Sequence, residues 1–199
     1  MITNLPNLLT LFRIAVIPGI VGLFYLETDL GRYLACVIFS LAAITDFLDG
    51  YFARTFSQQS VLGKFLDPVA DKLLVSAVLL MMTGFGQISG TLILPAIVIL
   101  CREIMVSGLR EFLAEIRVGL PVSTLAKWKT LIQMLAIGFL IIGDAGPALV
   151  PTRTIGEVAL WLAAVLTLIT GYDYLKAGLH HIERINLKKN NSANEKNNN

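Results

Sequence analysis

Apolar residues run along this chain in long blocks, separated by short polar or glycine-rich breaks. Six blocks fall at roughly 7–27, 33–54, 64–84, 91–112, 124–143 and 154–176. Each is close to the ~20 residues a helix needs to cross a bilayer. The breaks are Glu27-Thr28-Asp29, Ser57-Gln58-Gln59-Ser60, Gly84-Phe85-Gly86-Gln87, Glu115 to Pro121 and Asp144 to Arg153. A membrane β-barrel would instead show segments of about ten alternating residues. The pattern therefore predicts an all-α integral membrane protein with six transmembrane helices. The first block has no basic leader and continues past Pro18 and Gly19, so it reads as a span and not as a signal peptide.

Composition strengthens that reading. The chain has 199 residues, 55% hydrophobic and 15% charged, against about 25% charged in a soluble domain. Disordered, fibrous and disulfide-stapled classes are excluded. A net charge of +2 gives no basis for binding nucleic acid. Cys36 and Cys101 lie in apolar runs and read as small buried hydrophobes. Residues 1–180 form one six-helix domain with no internal repeat. Residues 181–199 are polar and asparagine-rich, which predicts a disordered tail.

Lys and Arg set the orientation. One side of the six-span scheme carries Arg54, Lys64, Arg117, Lys127 and Lys129, and the tail adds five more; the other side has Arg32 and Arg153. By the positive-inside rule both termini face the cytoplasm. The expected location is the cell inner (cytoplasmic) membrane.

Four of the 14 acidic residues, all aspartates, fall in the second and third predicted helices. Asp46 and Asp49 lie in the cytoplasmic third of helix two, and Asp67 and Asp71 in the first turns of helix three. Spacings of i, i+3 and i, i+4 put each pair on one helical face. A short connection makes the helices neighbours, so four carboxylates face one another. They cannot all stay ionised in a low dielectric. Divalent ions with oxygen-only preferences, such as Mg²⁺, Mn²⁺ or Ca²⁺, resolve the repulsion, and four Asp suffice for a pair of ions about 3.5–4 Å apart. The competing reading is a protonated cluster that joins helices by hydrogen bonds. Between the pairs, Gly50, Ala53 and Gly63 allow a bulky ligand close to the backbone, and Arg54 is placed to meet an anion. Metals, small residues and an arginine together describe a pyrophosphate site. Pro68 either opens helix three or kinks it.

The whole pattern, D-x2-D-G-x2-A-R-x8-G-x3-D-x3-D over Asp46 to Asp71, resembles the signature of the CDP-alcohol phosphatidyltransferases, with all eight defining positions present. The resemblance implies that family's six-helix fold, a polar cavity facing the cytoplasm and a homodimer. It implies that Asp46, Asp49, Asp67 and Asp71 bind two divalent ions, Mg²⁺ or Mn²⁺. It further implies that Asp49, Gly50, Ala53, Arg54 and Gly63 hold the CDP moiety of CDP-diacylglycerol, and that Asp71 is the catalytic general base. Such a base accepts a proton from the attacking hydroxyl as CMP leaves.

The acceptor alcohol must be read elsewhere. Helix four carries Arg102 inside an apolar run and Arg110 two turns on; helix five opens on Lys127-Trp128-Lys129-Thr130. These cations suit a second phosphate, that of an alcohol phosphate. Internal pairing of Arg102 with Glu103 and snorkelling of the other three is the competing account. Pro6-Asn7 to Arg13, Phe65 to Lys72, Arg102-Glu103-Ile104 and Lys127 to Thr130 resemble the bacterial branch of the family that uses sn-glycerol 3-phosphate. This places Asn7, Thr10 and Arg13 at the nucleotide end of the cavity. Two alternatives are weighed against this. A sister transferase would take inositol phosphate or another acceptor. A divalent-cation transporter would use the four Asp, but the Asp lie toward one face and Arg54 would repel a cation.

Overall fold

The computed structural model describes residues 5–56, 61–116, 118 and 124–197, with side chains described within 8–45, 66, 68–116, 118 and 124–182. Among the described residues the chain forms α-helices and short 3₁₀ turns: α1 (Leu5–Phe24), α2 (Asp29–Phe56), α3 (Val61–Gly84), α4 (Ile93–Glu115), α5 (Thr124–Ile142) and α6 (Thr152–Asn197). The six predicted blocks coincide with these helices to within a few residues, apart from the end of α6. Where composition predicts a tail without regular structure, the α6 backbone continues helical to Asn197. No Gly or Pro follows Gly178 to stop it. Pro68 lies inside α3, so the helix opens before it, at Val61.

Among the described residues three helical stretches are long and apolar enough to cross a membrane, Gly90–Glu115, Thr124–Ala145 and Thr152–Ile182, with a shorter apolar helix at Leu8–Phe24. Large apolar side chains also face outward on many sides. Leu80 is 70% exposed, Ile104 62% and Leu94 58%, a surface suited to acyl chains and not to water.

The turns show local reasons for the helix ends. Glu27 adopts φ 49° after α1, and its N–H donates to the Phe24 carbonyl at 3.3 Å. Thr28 then caps α2 by accepting from the Gly31 N–H at 3.1 Å, with Asp29 in the first turn complementing the helix dipole. At the same end of the bundle, Tyr33 donates to the Ala145 carbonyl at 2.6 Å. Thr152 donates to the Gly143 carbonyl at 2.5 Å, and Arg153 joins Asp144 to Glu157.

The helices form two groups. α1 packs on α2 and α3, α6 packs on α5 and α4, and α2 against α5 joins the groups. Phe39, Leu74, Met82, Ile137, Leu140 and Leu160 are buried at this junction. α6 contributes a face of small residues. A Cβ on Gly156 would lie 2.7 Å from Leu140 Cγ and 3.0 Å from the Leu140 backbone nitrogen. A Cβ on Gly171 would lie 3.0 Å from Arg102 Cγ, and one on Gly178 would lie 3.0 Å from Leu109 Cδ2. With Ala163 and Ala164 between them, these positions let α4 and α5 both lean on α6 at close range, the small-residue packing typical of membrane helices.

Gly156→Val should therefore lower stability by about 1–3 kcal/mol through overpacking, because the clash includes α5 backbone. Gly19→Ala, where nothing lies within 4 Å of the new Cβ, should leave it unchanged or slightly raised. Thermal midpoints of the two variants in detergent check this; equal midpoints would mean that α5 and α6 do not meet at Gly156.

Candidate active site

α4 and α5 lean on α6 more than on each other, and the space left between them is a cavity of about 600 Å³. α3 closes it with Asp71, Lys72 and Val75; α4 gives Arg102, Glu103 and Arg110; α5 gives Lys129 and Gln133; α6 gives Tyr174. The cavity lies toward the end of the bundle where α3 and α5 begin and α4 ends.

Its charges are arranged by burial. Arg102 is 8% exposed and Lys129 3%, and each would be unstable there alone. Glu103 Oε1 compensates both. It accepts from Arg102 Nη1 at 3.3 Å and forms an ion pair with Lys129 Nζ across the gap between α4 and α5. Arg102 also donates from Nη2 to Thr170 Oγ1 at 3.1 Å, and its guanidinium carbon lies 5.7 Å from the centre of the Tyr174 ring. The internal pairing of Arg102 with Glu103 is thus present, and it coexists with a cavity wall that carries four cations, Lys72, Arg102, Arg110 and Lys129. Arg110 lies on the exposed rim, next to Ser107, which donates to Glu111 Oε1 at 3.2 Å.

Asp71 faces the same cavity. Its Oδ1 accepts from Arg13 Nη1 at 2.5 Å, with the Arg13 side chain 1% exposed and that of Asp71 38%. Arg13, set on α1 in the sequence-based picture, reaches across 58 residues of chain to hold the last aspartate of the signature. Thr10, one turn earlier, is fully buried. Lys72 Nζ donates to the Pro68 carbonyl at 2.6 Å and fastens the turn that carries Asp71; Pro68, having no N–H, leaves the carbonyl one turn earlier without its helical donor.

The structure thus brings Asp71, Arg102, Arg110 and Lys129 to one cavity. Lys127 is exposed on α5 and is not among the residues lining it. Asp46, Asp49, Gly50, Ala53 and Arg54 lie on α2, and Gly63 and Asp67 on α3, but their side chains, and that of Asn7, lie outside the described residues. Among the described residues no group of three or more His, Cys, Asp or Glu forms a metal cage. As a donor set, the four aspartates on the end of α2 and the start of α3 fit hard divalent cations. Sequence reasoning passed over Gln133 and Tyr174. Gln133 had a signal, being a polar residue within an apolar run and one turn from Lys129; Tyr174 had none beyond its place on the Thr167–Thr170 side of α6.

Relatives named CDP-diacylglycerol–glycerol-3-phosphate 3-phosphatidyltransferase include one from Rickettsia bellii, 50% identical over 87% of this chain and 94% of the relative. One from Pectobacterium atrosepticum is 42% identical over 90% of this chain and 97% of its own. Another from Cereibacter sphaeroides is 38% identical over the same shares. The sequence profile described as CDP-alcohol phosphatidyltransferase matches residues 3–169. With its signature aspartate and its buried cations on one cavity, this chain belongs to the CDP-alcohol phosphatidyltransferase family.

Proposed function

We propose that this chain transfers the phosphatidyl group of CDP-diacylglycerol to sn-glycerol 3-phosphate and releases CMP. The observation that carries the reading is the single cavity shared by Asp71 and the cations Arg102, Arg110 and Lys129. A family signature alone implies a CDP-lipid and an alcohol. Buried cations beside the signature aspartate add the demand for an acceptor that bears a phosphate. The names of the relatives at 38–50% identity point to the same acceptor.

The acceptor phosphate takes the place between Arg102, Lys129 and Arg110, a cluster whose positive charge Glu103 offsets only in part. Its free primary hydroxyl then reaches Asp71. As the new O–P bond forms at the lipid-side phosphorus, the hydroxyl proton passes to Asp71 and the bond to CMP breaks. Arg13 keeps the Asp71 carboxylate oriented for that transfer. Asp46, Asp49, Asp67 and Asp71 would hold two divalent ions, Mg²⁺ or Mn²⁺, which when bound neutralise the pyrophosphate and the leaving phosphate. Gly50, Ala53 and Gly63 leave room for the CDP moiety, and Arg54, Asn7 and Thr10 bind it. In this reading all six helices span the inner membrane, both termini and the cavity mouth face the cytoplasm, the acyl chains remain in lipid and the enzyme is a homodimer.

CMP release from CDP-diacylglycerol should depend on glycerol 3-phosphate and not on inositol phosphate; the reverse preference would place the chain among the sister transferases. Arg110→Ala removes a charge-assisted contact typically worth about 1.5–3 kcal/mol. It should raise the KM for glycerol 3-phosphate roughly 10- to 150-fold while that for CDP-diacylglycerol changes little. Steady-state kinetics with each substrate varied decides between this and a general loss of active enzyme. Excess EDTA should abolish turnover, and added Mg²⁺ or Mn²⁺ should restore it; full activity in EDTA would remove the two-ion reading. With Cys36 and Cys101 replaced by Ala, an impermeant thiol reagent applied from outside should label a cysteine placed in the 146–151 loop and not one placed at 57–60. The opposite pattern would invert the topology.

A further inference from the structure

The wall of the cavity contains one polar side chain that the proposed reaction does not use. Gln133 is 2% exposed and lines the cavity one helical turn from Lys129 on α5, about 6 Å along the axis. Its Oε1 is buried and has no hydrogen-bond partner among the described residues. A buried, unsatisfied amide oxygen is costly, and an apolar helix face offers no reason to keep one. Several polar groups nearby are engaged. Glu103 is held by Arg102 and Lys129, Ser107 by Glu111, and Thr130 donates to the Ala126 carbonyl at 3.0 Å.

We infer that Gln133 reads the secondary hydroxyl of the acceptor, an inference that rests on the proposed reaction. The chemistry of the acceptor divides into three groups that need three kinds of partner. The phosphate, acceptor-only, needs the cations. The primary hydroxyl, the nucleophile, needs Asp71. The C2 hydroxyl both donates and accepts, and a carboxamide serves either role by a half-turn about its last torsion. Gln133 borders the same cavity as Lys129 and Asp71 and supplies the third partner. It is thus a specificity-determining residue, which favours a phosphorylated triol over a simple phosphorylated diol.

The test compares sn-glycerol 3-phosphate with 3-hydroxypropyl phosphate, which keeps the phosphate and the primary hydroxyl and lacks the C2 hydroxyl. Both are assayed with CDP-diacylglycerol on the full-length purified protein, and the readout is the ratio of their kcat/KM values. Measured on one preparation, this ratio is independent of the active fraction. The wild type should prefer glycerol 3-phosphate by about 10- to 100-fold, as expected for a hydrogen bond to a group otherwise left unpaired. Gln133→Met, similar in size and without the amide, should bring the ratio to within about threefold of unity, mainly by lowering kcat/KM for glycerol 3-phosphate. Gln133→Leu provides a second apolar replacement should the Met variant fold poorly. A wild type that uses both acceptors equally overturns the inference without any variant, as does a variant in which both acceptors fall together. If the wild type releases no CMP with glycerol 3-phosphate, it is the proposed reaction that fails.

Discussion

Arg13, Arg102 and Lys129 are each almost fully buried among apolar helices, and an unpaired charge in such a place costs several kcal/mol. Each is held by a carboxylate from another part of the chain or a neighbouring position. Arg13 on α1 is held by Asp71 on α3; Arg102 and Lys129 are held by Glu103. The Glu103–Lys129 pair links α4 to α5, which share little direct contact, while Arg13 and Asp71 add to the close packing of α1 on α3; the cavity borders both groups. Removing Glu103 would take from the buried Lys129 the carboxylate that pairs with it, so the geometry around the cavity follows from charge balance as much as from packing.

The same constraint makes the site ready for an anion. Glu103 faces two cations and is shared between them, so the cluster of Arg102, Lys129 and Glu103 keeps a formal charge of +1 before Arg110 on the rim is counted. A phosphate dianion can enter without any protein charge having to be created. The small-residue face of α6 gives the cluster its foundation. Arg102 Cγ passes close to Gly171, which has no Cβ to displace it, while the guanidinium reaches Thr170 and the Tyr174 ring. A side chain at Gly171 would push the arginine toward the cavity and disturb both the pair and the pocket.

Asp71 and the acceptor cations are separated by at least 31 residues of sequence, yet one cavity collects them. The lysine next to the aspartate, the proline three residues before it and the buried Arg13 all act on the same turn of α3. That turn is consequently more constrained than an ordinary helical turn, which in the proposed reaction suits a carboxylate that must meet a hydroxyl within hydrogen-bond reach.

The six helices were legible in the order of residues because long apolar blocks split by polar and glycine-rich breaks favour helices over alternating strands. The aspartate signature was legible because its chemistry is packed into 26 consecutive positions, Asp46 to Asp71. Arg102 and Arg110 were visible as cations out of place in an apolar helix. Local sequence could not decide which carboxylate each cation meets. Glu103 is adjacent to Arg102 in sequence, but its pairing with Lys129 depends on α4 and α5 both packing on α6, and the reach of Arg13 to Asp71 on α1 packing on α3. The lining role of Gln133 and Tyr174, and the exclusion of Lys127 from that lining, likewise turn on the rotation of α5 and α6 about their axes. Nearly uniform apolar blocks carry little record of that rotation; close packing at Gly156, Gly171 and Gly178 fixes it only in the assembled bundle.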